Sequence, residues 1–567
     1  MMVTVVNDLI DAARGLVPAD CVFKNARIFN PFTCTWEEGN LAIKDGRVLG
    51  IGNYAGKEVR DLSGRYIVPG LIDAHVHIES SLLAPQEYAR LVAMHGTTTV
   101  IADPHEIANV AGSDGIRFML AERGGAAVDI RYMLPSCVPA TPLDVGGATL
   151  DAHDLSQFAG RDGISGLGEM MNVPGVLAGD EGIAGKLALF PVRDGHAPFL
   201  SGKDLNAYIL AGPDSDHECT TRAEAEEKLR KGMYIYIREG STEHNIAELV
   251  PLVNPVTVSR CCFATDDCHA DLLMQDGHID RCIRKAIACG LSPELAIRMA
   301  TLSAAERFGL SDRGALTPGR RADFCVIDDP RTFVVKQVFR SGKAVSTGHP
   351  TTPAHLHTMV QCIPPAMNDI RISGTGTARV IGLVPHQILT ESLRYVIEDP
   401  NKPDYDRDIL KVVVCNRYGK GKRGIGLVHG FGFRQGAIAC SISHDAHNIV
   451  ATGASDAEIC SAIEAVVKAG GAMAAVIDRE ATVLPLDCAG LMSTLPYEEV
   501  ADRLGQLKNV TGTMGGIEDP FMYLSFLSLT VIPALRITDR GVFDAGEFRD
   551  VQLFTDRRDE PIAGHPI

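Results

Sequence analysis

Hydrophobic and polar positions change rhythm three times along the chain. Residues 1–68 open with a short amphipathic segment. They then alternate over brief stretches, CVFKNARIF, TWEEGNLAIKDGRVLGIG and KEVRDLSGRYIVPG, separated by turns that hold Asp45-Gly46 and Ser63-Gly64. That pattern predicts short strands in a small β-unit. Residues 69–312 contain eight brief apolar runs that end in polar groups: GLIDAHVH, TTVIADPHE, IRYMLPSC, GISGLGE, LALFPVRDGH, LNAYILAG, MYIYIREG and RCCFATDD. Between several of them lie APQEYARLVAMHG, GIRFMLAERGG, RAEAEEKLRKG and HIDRCIRKAIACG, whose apolar residues recur at helical spacing. Strand and helix alternating in this way predict an α/β architecture, a (β/α)8 TIM-like barrel whose functional residues sit at the C-terminal ends of its strands. The polar run ends fall there.

Beyond the barrel, SPELAIRMATLSAAERFGL reads as helix. Residues 313–350 return to strand patterning in GALTPGRRADFCVIDD and TFVVKQVFRSGKAV, and are expected to rejoin residues 1–68 in one composite β-sandwich domain. GHPTTPAHLHTMVQCIPP reads as a linker, and residues 366–567 as a C-terminal α+β domain.

Length and charge narrow the function. At 567 residues the chain exceeds a single core. Its net charge of −17 argues against a nucleic-acid partner, which a basic surface would serve. Fifteen cysteines, an odd number without a C-x-x-C pair, include Cys261 and Cys262 in an apolar run, as reduced thiols do. The N-terminal stretch carries Asp8 and Asp11 instead of a basic start, and no apolar run reaches the length of a membrane span. A cytoplasmic protein is expected, with no membrane partner. Assembly is not encoded in any pattern; a homo-oligomer, by default a dimer, is the expectation.

The sharpest chemical signal is His75-Val76-His77 at the end of the first barrel run. Residues i and i+2 of a strand share a side, so both imidazoles can face one ion. Two ordinary histidines explain that pair equally well. Glu169, His196, His217 and Asp266 close further runs, and six such groups on one rim make coincidence a poor account. Asp103, His105, Glu106, Arg238, Glu239, Ser241 and Asp267 lie on the same rim. His77-Ile78-Glu79 matches the H-x-E of zinc nucleobase deaminases, but the P-C-x-x-C that must follow is absent. GKGKRGIG lacks the Lys-Ser/Thr of a phosphate-binding loop.

PGLIDAHVHIESS, the later strand-end histidines and the ATDD aspartate resemble the amidohydrolase superfamily of metal-dependent hydrolases. ADPHEIANV, LPSCVPATP, GLGEMMN, DGHAP, SDHE, REGS, HDAHNI and GGIEDPF extend the likeness along nearly the whole chain to the bacterial adenine deaminase family. The resemblance implies two divalent ions per chain, one on His75, His77 and Asp266, the other on His196 and His217. Glu169 would bridge them, where many superfamily members use a carboxylated lysine. Manganese or iron(II) is favoured by the resemblance, and zinc is chemically acceptable to such nitrogen and oxygen ligands.

The implied reaction is hydrolytic deamination of adenine to hypoxanthine and ammonia, with water activated by the metals and a place in purine salvage or catabolism. Asp266 would move the proton. Glu106, and after it Glu239, is the expected acid at the purine ring, the alternative being a carboxylate that orients a metal-bound histidine. Arg238, Glu239 and Asp103 are the expected substrate contacts. His444-Asp445-Ala446-His447 is expected to be structural or to help close the pocket. Two other readings stay open: another enzyme of the superfamily, opening a cyclic amide or deaminating a related heterocycle, and a silent metal-binding scaffold.

Overall fold

A computed structural model describes residues 2–345, 348, 356 and 360–555. The expected linker lies largely outside them. Eight parallel strands form the central barrel: Leu71–Val76, Thr97–Ala102, Asp129–Leu134, Ile164–Met170, Arg193–Gly195, Ser215–Asp216, Tyr234–Arg238 and Cys261–Ala264. The first five pair in sequence order, as do the last three. Gly195 N donates to Ser215 Oγ between the fifth and sixth strands, and a parallel bridge between Val76 and Asp266 closes the ring. The helices expected from periodicity form at Pro85–Met94, His105–Glu122, Arg222–Arg230 and Ile279–Ala288.

Two of the expected strands need correction. LNAYILAG lies in a helix, Gly202–Ala211, and the sixth strand is the two-residue Ser215–Asp216 that follows. Leu205 and Tyr208, one helical turn apart, are buried, whereas Leu210 is 88% exposed; the period is 3.6 and not 2. In LALFPVRDGH only Arg193–Gly195 is strand. Its buried Asp194 accepts from Ser215 Oγ, Tyr236 Oη and Arg307, so a charged network replaces the apolar packing that the run suggested.

The N-terminal strands and those after the barrel share one eight-stranded sheet. Phe324–Ile327 lies antiparallel to Tyr66–Pro69, and Phe23, Phe324 and Phe339 pack ring against ring beneath it. A second eight-stranded sheet, running from Thr390–Ile397 at one edge to Glu480–Pro485 at the other, dominates the C-terminal region. The helices Asp456–Lys468, Tyr497–Thr513 and Pro520–Phe526 accompany it.

This region is fastened to the barrel. One buried cluster runs from Val76, Leu83 and Tyr88 to Phe431, Met492 and Leu524. Ser493 N donates to Leu82 O at 2.7 Å, and Arg90 pairs with Glu498. The C-terminal region therefore covers part of the barrel mouth. Among the described residues no helix is long and apolar enough to cross a membrane, and the fifteen cysteines are free thiols.

Candidate metal centre

The six strand-end groups meet. His75 and His77 bring their Nε2 atoms to 3.2 Å. His77 Nδ1 lies 3.0 Å from the Asp103 carbonyl, a contact that fixes the ring, as a bond from the far nitrogen does for metal-binding histidines. Glu169 spreads its carboxylate between two imidazole pairs. Oε1 stands 3.2 Å from His77 and 3.8 Å from His75, while Oε2 stands 2.6 Å from His196 and 3.1 Å from His217. Asp266 Oδ1 lies 3.3 Å from His75 Nε2 and 3.2 Å from His77 Nε2. None of the six is more than 4% exposed.

The backbone is shaped for this. Asp266 has φ +56°, a left-handed conformation that a non-glycine residue adopts at a cost of about 1–3 kcal/mol. Its N–H donates to His75 O and its carbonyl accepts from His77 N, so the ring closure itself holds the conformation. One residue before Glu169, a Cβ on Gly168 would sit 2.0 Å from Asp103 Oδ2, the atom that accepts the Glu169 N–H at 2.9 Å. Only glycine leaves room for that carboxylate.

Arg238 and Asp103, expected as substrate contacts, also line or support the cavity, each with partners inside the protein. Arg238 binds Asp266 Oδ2 at 2.8 Å and grips Glu218. Asp103 supports Glu169. Glu239 is not among the residues that line the cavity, and its carboxylate pairs with His244 and Lys285. Ser241 Oγ accepts from His269 N, and Asp267 Oδ1 accepts from Ser80 Oγ.

Glu106 faces the cavity as expected, but both its oxygens are taken, one by His444 Nδ1 and the other by His447 Nε2. Burial presses its pKa up; the two imidazoles outweigh that and hold it well below the usual carboxylate range. Glu106 therefore stands at the cavity with both oxygens engaged by the HDAH loop. His444 is the converse case. Burial pushes its imidazolium down, but Glu106 and Asp267 raise it to about 9, and its Nε2 is buried without a partner among the described residues. Its ring stacks on Phe526, with centroids 4.9 Å apart. The HDAH loop thus reaches the cavity.

The donor set fits divalent cations. Ligands about 2.0–2.2 Å from an ion stand roughly 3.3–3.6 Å apart at tetrahedral angles, close to the 3.2–3.3 Å edges among His75, His77 and Asp266. His196 Nδ1 and His217 Nε2 converge on one oxygen of Glu169, at 2.6 and 3.1 Å, so a second nitrogen and oxygen donor group lies beside the first. Glu106, Glu169, Glu218, Asp266, Asp267 and Asp445 line the cavity against one basic side chain of the Lys/Arg type, Arg238. So many buried carboxylates call for compensating positive charge.

Residues 66–345 match the amidohydrolase family, and residues 387–549 match the adenine deaminase C-terminal domain. The chain is 67% identical over 549 residues to an adenine deaminase of Methanoregula boonei, spanning 96% of this chain and 98% of that one. It is 61% identical to an adenine deaminase of Methanoculleus marisnigri, over 91% and 99% of the two chains, and 44% identical to adenine deaminase 2 of Carboxydothermus hydrogenoformans, over 97% and 99%. The chain belongs to the adenine deaminase family. Membership in this amidohydrolase family brings divalent-metal binding with it, in agreement with the His, Asp and Glu clusters.

Three residues that line this cavity are not singled out as candidates by sequence reasoning. Glu218 adjoins His217 in SDHE, and nothing in that stretch marks it apart from the histidine. His444 and Asp445 lie 338 residues or more from the barrel group they meet, and nothing local in the sequence ties them to Glu106.

Proposed function

We propose that this chain hydrolyses adenine to hypoxanthine and ammonia at a pair of divalent ions. The observation that carries the reading is the divided carboxylate of Glu169, one oxygen toward His75 and His77, the other toward His196 and His217. His75, His77 and Asp266 are assigned to one ion, His196 and His217 to the other, with Glu169 between them. Manganese or iron(II) suits these nitrogen and oxygen ligands, and zinc is an acceptable substitute. The ions, when bound, supply the Lewis acidity that makes water a nucleophile at neutral pH.

The protein's own groups handle orientation and protons. Asp266 is pinned through Oδ2 by Arg238, which leaves Oδ1 on the imidazole side to take a proton from water and return it to the departing amine. His444, held through Nδ1 by Glu106, presents Nε2 as the donor for the ring nitrogen beside the attacked carbon. Met171, Ile388, Phe526 and Leu529 give the cavity an apolar wall suited to a flat heterocycle. The fifteen free thiols suit a reducing, cytoplasmic setting, with purine salvage as the role and a homo-oligomer as the assembly.

Metal-loaded protein should release ammonia from adenine and convert its ultraviolet spectrum to that of hypoxanthine. Rates on hydantoins or dihydropyrimidines equal to those on adenine would overturn the substrate. One ion per chain in fully active protein would overturn the bridging role of Glu169.

A further inference from the structure

Asp445 sits in the loop between the strands Ala437–Cys440 and Ile449–Gly453, and its carboxylate lines the cavity. The residue is 5% exposed. Oδ1 stands 3.3 Å from His105 Nε2, whereas Oδ2 is buried and has no hydrogen-bond partner among the described residues. Glu106, beside it, is satisfied on both oxygens. A buried acceptor left without a donor costs about 1–3 kcal/mol. An ionised carboxylate can only accept, so whatever fills the cavity must bring an N–H or O–H to Oδ2.

A purine base offers few such groups. The ring nitrogens of the six-membered ring are acceptors and would be repelled. The exocyclic amine is the leaving group and belongs at the reacting end. What remains is the N–H of the five-membered ring, which a free base carries and a nucleoside, nucleotide or 9-alkyl purine has lost to its substituent.

We infer that Asp445 is the specificity residue that restricts this site to unsubstituted purine bases, by accepting a hydrogen bond from the five-membered-ring N–H. The inference rests on the proposed deamination of adenine and adds to it the expectation that sugar-bearing forms are refused. A site built to bond an N–H rejects the analogue lacking it by about 10⁴-fold.

The test compares kcat/KM on adenine and 9-methyladenine for the wild type, Asp445→Asn and Asp445→Ala, with metal content measured on each. The wild type should prefer adenine by about 10⁴-fold. Asp445→Asn can turn its amide donor toward the substituted ring, so its preference should fall at least 100-fold, with the loss on adenine mainly in KM. Asp445→Ala should lose adenine activity without gaining 9-methyladenine activity. An unchanged preference in Asp445→Asn, or an equal gain in Asp445→Ala, which would mean steric exclusion, overturns the inference. Where neither variant retains its ions, competition on the wild type decides: 9-methyladenine inhibiting as tightly as adenine binds also overturns it. Metal-loaded wild type that leaves adenine untouched instead overturns the proposed reaction itself.

Discussion

His444 donates through Nδ1 to the carboxylate of Glu106, 338 residues earlier in the chain, and so ties the C-terminal region to the mouth of the barrel. The acid proposed for the purine ring therefore comes from one region and the group that orients it from another.

Glu106→Gln should keep the metals and lose about 100-fold in kcat/KM, the typical cost of removing a group that orients an active-site imidazole. Steady-state kinetics with parallel metal analysis checks this. A change below threefold would remove Glu106 from the mechanism.

Asp266→Asn should lower turnover by about 10⁴-fold or more, since the residue combines ligation with proton transfer. Turnover measured with metal in excess separates the two contributions. A mild effect with both ions bound would assign proton transfer elsewhere.

Chelation should abolish activity and lower Tm together, because ligands gathered in the folded state bind ions that the unfolded chain holds weakly. Manganese, iron(II) and zinc added back in turn should restore Tm, and activity should rank them. Full activity in metal-free protein would refute the centre.

The six clustered groups were legible because each ends an apolar run, and a run that stops on His, Glu or Asp is a local event. The N-terminal strands were legible from their alternation and turn residues. LNAYILAG was not, since a run of that length fits a buried strand or half a helix equally, and its partner strand is only two residues long. Glu239 ends a strand at the same height as the others yet pairs with Lys285, a choice made by tertiary contacts alone. His444 and Asp445 read as structural or pocket-closing because their three-dimensional neighbours, Glu106 and His105, leave no period in the sequence.

Gly168→Ala tests a packing constraint. Its methyl would have to displace the Asp103 carboxylate from 2.0 Å and with it the bond to Glu169 N. A loss of about 1–3 kcal/mol in stability and a weaker hold on metal are expected. Urea unfolding with and without added metal reads both.

At the opposite end of the barrel, Asp129 opens the third strand and binds Arg313 at 2.5 Å and Arg321 at 3.3 Å. Burial raises its pKa, but Arg313 and then Arg321 outweigh that and leave it below the ordinary aspartate value. A depressed carboxylate contributes stability that is present above its unfolded pKa, near 3.9, and lost as pH falls through the lower folded value. Asp129→Asn should therefore cost about 1–3 kcal/mol at pH 7, the loss of charge-assisted bonds to an Arg313 that keeps its pairing with Asp312. The Tm gap to the wild type should narrow as pH drops below 4. A gap that widens in acid would contradict the pairing.

The shared sheet has a consequence for biosynthesis. Tyr66–Pro69 receives its neighbour Phe324–Ile327 only after roughly 250 further residues have been made. At about 5–20 residues per second on the ribosome, that strand edge waits some 12–50 s for its partner. Throughout that interval the nascent chain exposes an open β-edge, so slowed translation of the barrel should raise aggregation before it affects any property of the finished enzyme.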